Sequence, residues 1–391
     1  MNEMQPSISV IIPTMGFPKL FTKVMEALLL QTLLPKEIVV VDSSKDDSIL
    51  KLVEYFKTKI NIRVIKVSKA YPGEARNIGV RNAKNNLIAF LDSKTIPTVD
   101  WLSKAVEIIN KESHDIIFGT TTYAADSSKQ KILQACVYGK NPVITTPGTV
   151  LNKNVFNAIG EFTEGVRSGE DLEWRNRAEA LSLKIYKPQG SLLDYPEISK
   201  TYLIEVKKHF IYQFHGAKLD VQLNSRIVTL GLSLFFITLI IPKWNAIVGW
   251  NESIFYIPHI TKSYFYMISV FSLFILGMSK FFKLNNLWKK YFIAITFIIC
   301  FNIVFQWNYV IALWVEEFIY IPHITKIYIA FLAISSLFFR GIYKPLSMGI
   351  DRGFIFPFKW LWVGIIGMFL DIVKVPGYFL GAIIALKRRL I

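Results

Sequence analysis

The run Ile8-Ser-Val-Ile-Ile-Pro-Thr14, a helically spaced stretch from Phe21 to Gln31, and the run Glu37-Ile-Val-Val-Val-Asp42 decide how this chain folds. The first and third are short, β-branched and bounded by turn-forming residues, so they read as strands, whereas the middle one has the spacing of a helix. Strand, helix and strand joined this closely imply a right-handed parallel βαβ unit. Working outward, Lys51 to Lys57 reads as helix, Ile62 to Val67 as strand, Gly73 to Ala83 as helix, and Asn86 to Leu91 as a strand ending at Asp92. A parallel sheet presents its ligands at the carboxyl ends of its strands. Asp42 and Asp92 both occupy such ends. Either one alone reads equally well as a cap for the following loop, but together they place two carboxylates on one rim. No Gly-x-Gly-x-x-Gly follows the first strand and no Gly-Lys-Ser/Thr loop occurs, which excludes a dinucleotide fingerprint and a P-loop.

Composition divides the chain in two. Of 391 residues, 52% are hydrophobic and 19% charged, a balance that excludes disorder and is unusual for a soluble enzyme. The net charge is +16, and residues 226–391 hold 16 Lys+Arg against 5 Asp+Glu. A basic excess that accompanies the apolar half points to membrane lipids as a partner and not to nucleic acid. Cys136 and Cys300 lie one in each half and form no framework for a disulfide or zinc, as in a reducing compartment. Met1 to Ser9 lacks a charged n-region and a long apolar h-region, so no signal peptide is expected and the first domain is expected in the cytoplasm.

Five motifs occur in the order and spacing of glycosyltransferase family 2. They are Pro13-Thr14, Val41-Asp42-Ser-Ser, Gly73-Glu-Ala-Arg76-Asn77-x-Gly79, Phe90-Leu91-Asp92-Ser93-Lys94, and Gly169-Glu170-Asp171-x-Glu173-Trp174. Over residues 7–220 the chain resembles that family. The resemblance implies an α/β catalytic domain of GT-A fold, Rossmann-like, with a nucleotide-sugar donor and transfer with inversion. It also implies roles: Pro13, Thr14, Asp42, Arg76, Asn77, Asp92 and Lys94 at the donor, with Asp42 reading the base and Asp92 near ribose and metal. Asp171 is the implied general base and Glu170 its neighbour, positioning base or acceptor. The residue types suit these tasks, since a diphosphate needs cations and an acceptor hydroxyl needs a base. Arg76 could pair with phosphate or with Asp92, or simply lie along its helix. Glu170 and Asp171 would also serve as N-terminal helix caps.

Lys94 departs from the pattern. The family's Asp-x-Asp usually ligates Mn²⁺ or Mg²⁺ through its last Asp, and here the run is Asp92-Ser93-Lys94. A protonated lysine binds no divalent ion but can face phosphate as a point charge. Three readings stay open: Lys94 replaces the metal, Asp92 holds a metal with water and donor oxygens, or the site is catalytically silent. The stretch Thr145-Thr-Pro-Gly-Thr149 to Gly160 reads as a strand and a short helix, with Phe156 and Phe162 as core. The Gln-x-x-Arg-Trp motif of family members that build long polymers does not occur in residues 175–225, which argues against a processive synthase.

The second half reads as membrane-associated. Residues 196–225 form a basic, aromatic, amphipathic stretch suited to an anionic leaflet, with His209 and His215 as interfacial side chains. Four apolar spans follow near 227–248, 263–282, 291–313 and 327–343. Within them Trp250-x-Glu252-x-x-x-Tyr256-Ile-Pro-His259-Ile-Thr-Lys262 recurs as Trp314-x-Glu316-x-x-x-Tyr320-Ile-Pro-His323-Ile-Thr-Lys326, two parallel hairpin repeats. Lys280, Lys283, Lys289, Lys290, Arg340, Lys344 and Arg352 set the catalytic domain inside. Phe354 to Leu386 is apolar but interrupted by Lys359, Asp371, Lys374 and Pro376, which favours an interfacial or re-entrant hairpin over a fifth span.

The expected organisation is a GT-A domain over 1–195, an interfacial segment over 196–225, four transmembrane helices over 226–345 and an interfacial or re-entrant segment over 346–391. The expected activity is transfer of one sugar from a nucleotide-sugar donor to a membrane-associated, polyprenyl-linked acceptor in envelope glycan or glycoconjugate synthesis, by a multi-pass protein of a prokaryotic plasma membrane. The alternatives are a silent membrane scaffold and a processive polysaccharide synthase. Nothing in the sequence names the sugar, the nucleotide or the oligomeric state.

Overall fold

The computed structural model describes residues 6–16, 18–219 and 334–390. The chain divides into two compact units, Met1–Val221 with Leu337–Ile391 and Gln222–Ser336. The first unit opens with β1 (Ile8–Thr14), α1 (Pro18–Leu29), β2 (Glu37–Asp42), α2 (Ser48–Lys57), β3 (Ile62–Lys66), α3 (Pro72–Asn82) and β4 (Leu87–Phe90). These follow the expected sequence of strands and helices to within a few residues. It continues with β5 (Ile96–Pro97), α4 (Trp101–Lys111), β6 (Ile116–Tyr123), α5 (Ser128–Leu133) and a wide helical turn, Gln134–Tyr138. Then come β7 (Val143–Asn152), α6 (Lys153–Ile159), α7 (Glu170–Ala180), β8 (Ile185–Tyr186), β9 (Leu193–Tyr195) and α8 (Tyr202–Gly216).

Among the described residues the strands form one mixed sheet in the order β3-β2-β1-β4-β7-β6-β9-β5, with β8 beside β6. β1 pairs in parallel with β2 and β4, and β2 in parallel with β3, whereas β7 runs antiparallel to β4 and β6. Alternate residues of the central strands enter opposite cores. Ile8, Val10, Ile12, Ile38 and Val40 meet α1, α2 and α4 on one face, while Ile11, Val39, Val41, Ile88 and Phe90 meet α3, α6 and α7 on the other. Burial on both faces is why these strands read as unbroken apolar runs and not as alternating ones. A side chain such as Phe21, fully buried, contributes about 2–3 kcal/mol by leaving water.

The winding order places the site. The chain moves outward from β1 through β2 to β3, then returns to place β4 on the other side of β1, so a crevice opens beyond the ends of β1 and β4. Thr14 is in register with Asp42, and Leu91 donates its N–H to Ile11 at 3.0 Å. Asp42 and Asp92 therefore flank Thr14 on a single rim.

The last segment differs from expectation. After single turns at Lys344–Ser347 and Arg352–Ile355, one continuous helix, α9 (Lys359–Leu390), takes the stretch expected as an interfacial or re-entrant hairpin. The charges that had read as interruptions are satisfied in place: Asp371 pairs with Lys374 at 2.8 Å and with Arg340 at 3.0 Å. α9 returns to α8, where glycines allow the backbones to meet. A Cβ at Gly377 would stand 2.6 Å from the Phe210 carbonyl oxygen, and one at Gly381 would overlap that of Phe214. The expected spans near 227–248, 263–282 and 291–313, residues 327–333 of the fourth and the Tyr-Ile-Pro-His-Ile-Thr-Lys repeat lie outside the described residues. Among the described residues no helix is long and apolar enough to cross a membrane.

Candidate active site

At the rim, Asp42 is fully buried and ends β2. Its Oδ1 accepts the Ser44 N–H at 2.9 Å and its Oδ2 receives Lys66 Nζ at 3.1 Å. The capping geometry weighed for this residue is thus present, and Lys66 neutralises the carboxylate beside it. Thr14 closes the neighbouring loop, its Oγ1 donating to the Gly16 carbonyl at 3.1 Å and its own carbonyl accepting the Ser43 N–H at 3.0 Å. Pro13 precedes it in β1, opposite Val41.

Arg76 joins the two carboxylate groups of the site. Its side chain is only 4% exposed and stands 2.8 Å from Asp92 Oδ1 and 3.5 Å from Glu170 Oε1. The guanidinium lies 5.5 Å from the centroid of the Phe162 ring. Beneath it Phe90, Phe156, Phe162 and Trp174 form an aromatic cluster, with Phe162 stacked on Trp174 at 4.8 Å. Phe156 and Phe162 are core, as expected. Gly73 opens α3 where a Cβ would come within 2.8 Å of Glu170 Cγ, so this helix approaches the carboxylate pair only without a side chain there.

Asn77 does not reach the crevice. It is fully buried, its Nδ2 donates to the Phe162 carbonyl at 2.9 Å, and its Oδ1 accepts the Phe162 N–H at 2.9 Å. Both ends of the amide are used to fasten α3 to the loop before α7. Its expected place at the donor is replaced by that structural one.

Glu170 and Asp171 form the first turn of α7, after Gly169 at φ +88°. Asp171 is half-buried and its Oδ1 accepts the Leu172 N–H at 2.8 Å. The helix N-terminus favours an anion at this position. Glu170 is buried, and its Oε2 has no hydrogen-bond partner among the described residues. Burial, and then the charge of Asp171, push its carboxyl up to about 7, against the pull of Arg76. The pair is therefore asymmetric, with an accessible carboxylate beside a buried one poised to hold a proton.

A second wall comes from further along the chain. Lys208 of α8 donates to Tyr138 Oη at 2.7 Å, and that hydroxyl donates to Glu205 at 2.8 Å. Burial works against the Glu205 carboxylate, yet His209, Lys208, Ser199 and Tyr138 hold it at about 2. Tyr123 packs between Tyr138 and Tyr195, with ring centroids 4.8 and 5.4 Å away and the rings tilted. Burial, Asp92 and Asp171 push its hydroxyl up to about 12. Ser168 Oγ donates to the Tyr212 carbonyl at 2.9 Å and pins the loop before α7 to α8. None of Lys208, Tyr138 or Glu205 was anticipated at the site. The signal available was the spacing of Glu205, Lys208, His209 and Tyr212, which lie on one face of a helix. His215 lines a cavity of about 530 Å³ with Lys69, Tyr71, Glu74 and Phe214.

Residues 9–165 match the family model for glycosyl transferase family 2. This segment is similar to family 2 glycosyl transferases. The glycosyltransferase AglE of Haloferax volcanii is 26% identical over 193 residues, which is 46% of this chain and 63% of that protein. The poly(ribitol-phosphate) beta-N-acetylglucosaminyltransferase TarS of Staphylococcus aureus is 25% identical over 236 residues, 54% of this chain and 41% of TarS. The chain spans less than two thirds of the length of these curated relatives. Among solved structures, TarS residues 1–349 in complex with UDP-GlcNAc match at 19% identity and a TM-score of 0.41, over 70% of this chain and 73% of that one. The Pyrobaculum calidifontis mannosyltransferase PcManGT, in complex with GDP-Man and Mn²⁺, matches at 14% identity and a TM-score of 0.41, over 55% and 64%.

Within the matched segment and its mixed α/β sheet, the metal expectation falls on Asp92. That carboxylate is already paired with Arg76, and the side chain two residues on is the ammonium of Lys94. Among the described residues no three His, Cys, Asp or Glu side chains are grouped to hold a metal ion. This donor set does not fit a protein-held Mn²⁺ or Mg²⁺ ion, because a hard divalent cation takes several oxygen ligands and a cation stands where the second would be. Burial and then Lys208 lower the pKa of Lys94, while Asp92 opposes them.

Proposed function

We propose that the chain is an inverting glycosyltransferase that moves a single sugar from a nucleotide-sugar donor to a membrane-associated acceptor. The observation that carries this reading is the convergence of Arg76, Asp92, Glu170 and Asp171 beyond the ends of β1 and β4, beside Asp42. In the reaction, the Asp171 carboxylate takes the proton of an acceptor hydroxyl. The acceptor oxygen attacks the anomeric carbon from the face opposite the leaving group, and the bond from that carbon to the nucleoside diphosphate breaks, the diphosphate leaving with the electron pair. Arg76 fixes Asp92 toward the donor and Glu170 beside the base. A base placed in this way contributes roughly 10²–10⁴-fold to the rate.

A polyprenyl-linked acceptor in envelope glycan synthesis, with the catalytic domain on the cytoplasmic side of a prokaryotic plasma membrane, fits the apolar second half of the sequence. It also fits an exposed apolar stripe on α9, Trp362, Ile365, Phe369, Ile372, Leu380 and Ile384, of a kind that soluble monomers seldom present. Membranes carrying wild type or Asp171→Asn, incubated with a panel of radiolabelled nucleotide sugars, test the reading. Label entering a lipid extract with wild type alone supports it, and label found only on free soluble glycans removes the lipid-borne acceptor.

A further inference from the structure

α9 has two sides of different character. Trp362, Ile365, Phe369, Ile372, Leu380 and Ile384 are all exposed, and their spacing places them on one face of the helix. At the rise of an α-helix, the stripe from Trp362 to Ile384 is about 33 Å long. The other side is fastened to the catalytic unit over the same length. Cys136 Sγ donates to the Val363 carbonyl at 3.2 Å and Arg340 Nη2 to that of Gly367 at 3.1 Å. Leu370 packs with Leu133 and Ile198, and Gly377 and Gly381 meet the backbone of α8 at Phe210 and Phe214. Asp371 and Lys374 are the charged residues between Trp360 and Leu386, and Asp371 turns to the buried Arg340 at 3.0 Å with Lys374 beside it. No charge therefore interrupts the stripe. Standing α9 across a bilayer would drag the polar, hydrogen-bonded surfaces of the catalytic unit into hydrocarbon, at a large cost.

The surroundings of the stripe indicate what covers it. Arg352 and Lys359 are exposed at its start, and the sequence puts Lys387, Arg388 and Arg389 at the end of α9. The acid at the first end, Asp351, is paired with Lys140. Aromatic and aliphatic residues on one face, between clusters of cations, suit a helix in the plane of an anionic leaflet. Because both ends are basic, a second copy of the stripe would bring like charges together in either orientation. The apolar stretches of sequence between 227 and 313 precede this part of the same chain, so lipid is the apolar phase at hand.

We propose that α9 lies flat on an anionic leaflet, with its stripe among the upper acyl chains, and does not cross the bilayer. α8, pressed against the other side of α9, is tied to the loop before α7 by Ser168 Oγ, which donates to the Tyr212 carbonyl at 2.9 Å. The leaflet thereby fixes the height of Glu170 and Asp171 above the headgroups. Resting on the reading that the acceptor is membrane-associated, this height selects an acceptor whose reacting hydroxyl lies at headgroup level over one at the far end of a long glycan.

The test is the depth of α9 in the full chain, reconstituted in vesicles of phosphatidylcholine and phosphatidylglycerol. Trp362→Cys, Phe369→Cys and Ile384→Cys, each in a Cys300→Ala background that retains the buried Cys136, carry an environment-sensitive fluorophore. Lys111→Cys, on exposed α4, is the reference, and Cys300→Ala alone is the labelling control. The quenchers are lipids with a nitroxide near the headgroup or at mid-chain, and iodide in the water. The three stripe labels are expected to be quenched by the shallow nitroxide to a similar extent, about threefold or more above the Lys111→Cys label, and to be shielded from iodide. In vesicles of phosphatidylcholine alone, that quenching is expected to fall about twofold. Ile365→Cys and Ile372→Cys repeat the reading on neighbouring turns should a first variant fail to fold. Iodide quenching equal to that of the Lys111→Cys label overturns the proposal. Shielding from iodide and both nitroxides also overturns it, since residues 222–336 or a second copy then cover the stripe, and so does a depth that increases steadily from Trp362→Cys to Ile384→Cys. The depths are read without nucleotide sugar, so they stand or fall apart from turnover. A flat α9 in a protein that labels only free soluble glycans upholds the leaflet contact and removes the membrane-associated acceptor.

Discussion

The Arg76 guanidinium stands 2.8 Å from Asp92 Oδ1 in a pocket that leaves only 4% of its side chain exposed. Because the same group reaches Glu170 at 3.5 Å, it ties the end of β4 to the start of α7. Removing one partner of a buried ionic group leaves the others uncompensated, at a cost of about 3–5 kcal/mol. Arg76→Met is expected to lower stability by that order in chemical denaturation, with a smaller loss in acid, where Glu170 protonates. An equal loss at all pH values would show that Glu170 is not the stranded charge.

Glu170 itself sets a pH dependence. Its folded pKa, about 7, lies above the ordinary 4.5, so the folded state holds a proton that the unfolded state releases. The stability linked to that proton is fully present below 4.5 and disappears as pH rises through 7. Glu170→Gln, which keeps the neutral shape, is therefore expected to gain stability over wild type above neutral pH, by up to about 3 kcal/mol, and to gain little in acid. Thermal melts at several pH values measure the crossover.

For Asp171 the expected effect is on turnover. Asp171→Asn keeps the first turn of α7 but has no basic carboxylate, so kcat is expected to fall roughly 10²–10⁴-fold, with nucleotide affinity nearly unchanged. Single-turnover transfer and nucleotide titration on the same preparation separate the two.

The seam between α8 and α9 gives a prediction remote from the carboxylates. Gly381→Val places a branched side chain against the Phe214 backbone, and overpacking of this kind costs about 1–3 kcal/mol. Transfer activity is expected to fall with it, because α8 carries Lys208. Full activity in a folded Gly381→Val variant would separate α9 from the site.

What the sequence disclosed follows the range of the interactions involved. β1 to β4 and α1 to α3 were legible because β-branched runs, helical spacing and short connections are local signals, and the rim of Asp42 and Asp92 follows from parallel winding alone. Asn77 was misplaced because a motif does not say whether an amide faces a ligand or the Phe162 loop. The stretch 196–225, which includes Lys208, was read as interfacial because Tyr138, which accepts from Lys208, lies 70 positions away and meets it only through the fold. The continuity of α9 was hidden for the same reason, since Asp371 is neutralised partly by Arg340, 31 positions away.

The seam of glycines in α9 also has a temporal meaning. Residues 202–216 leave the ribosome long before residues 359–390, so a nascent chain builds its sheet and carboxylate rim while the helix carrying Lys208 still lacks its brace. On the proposed reading, catalytic competence therefore arrives late in translation.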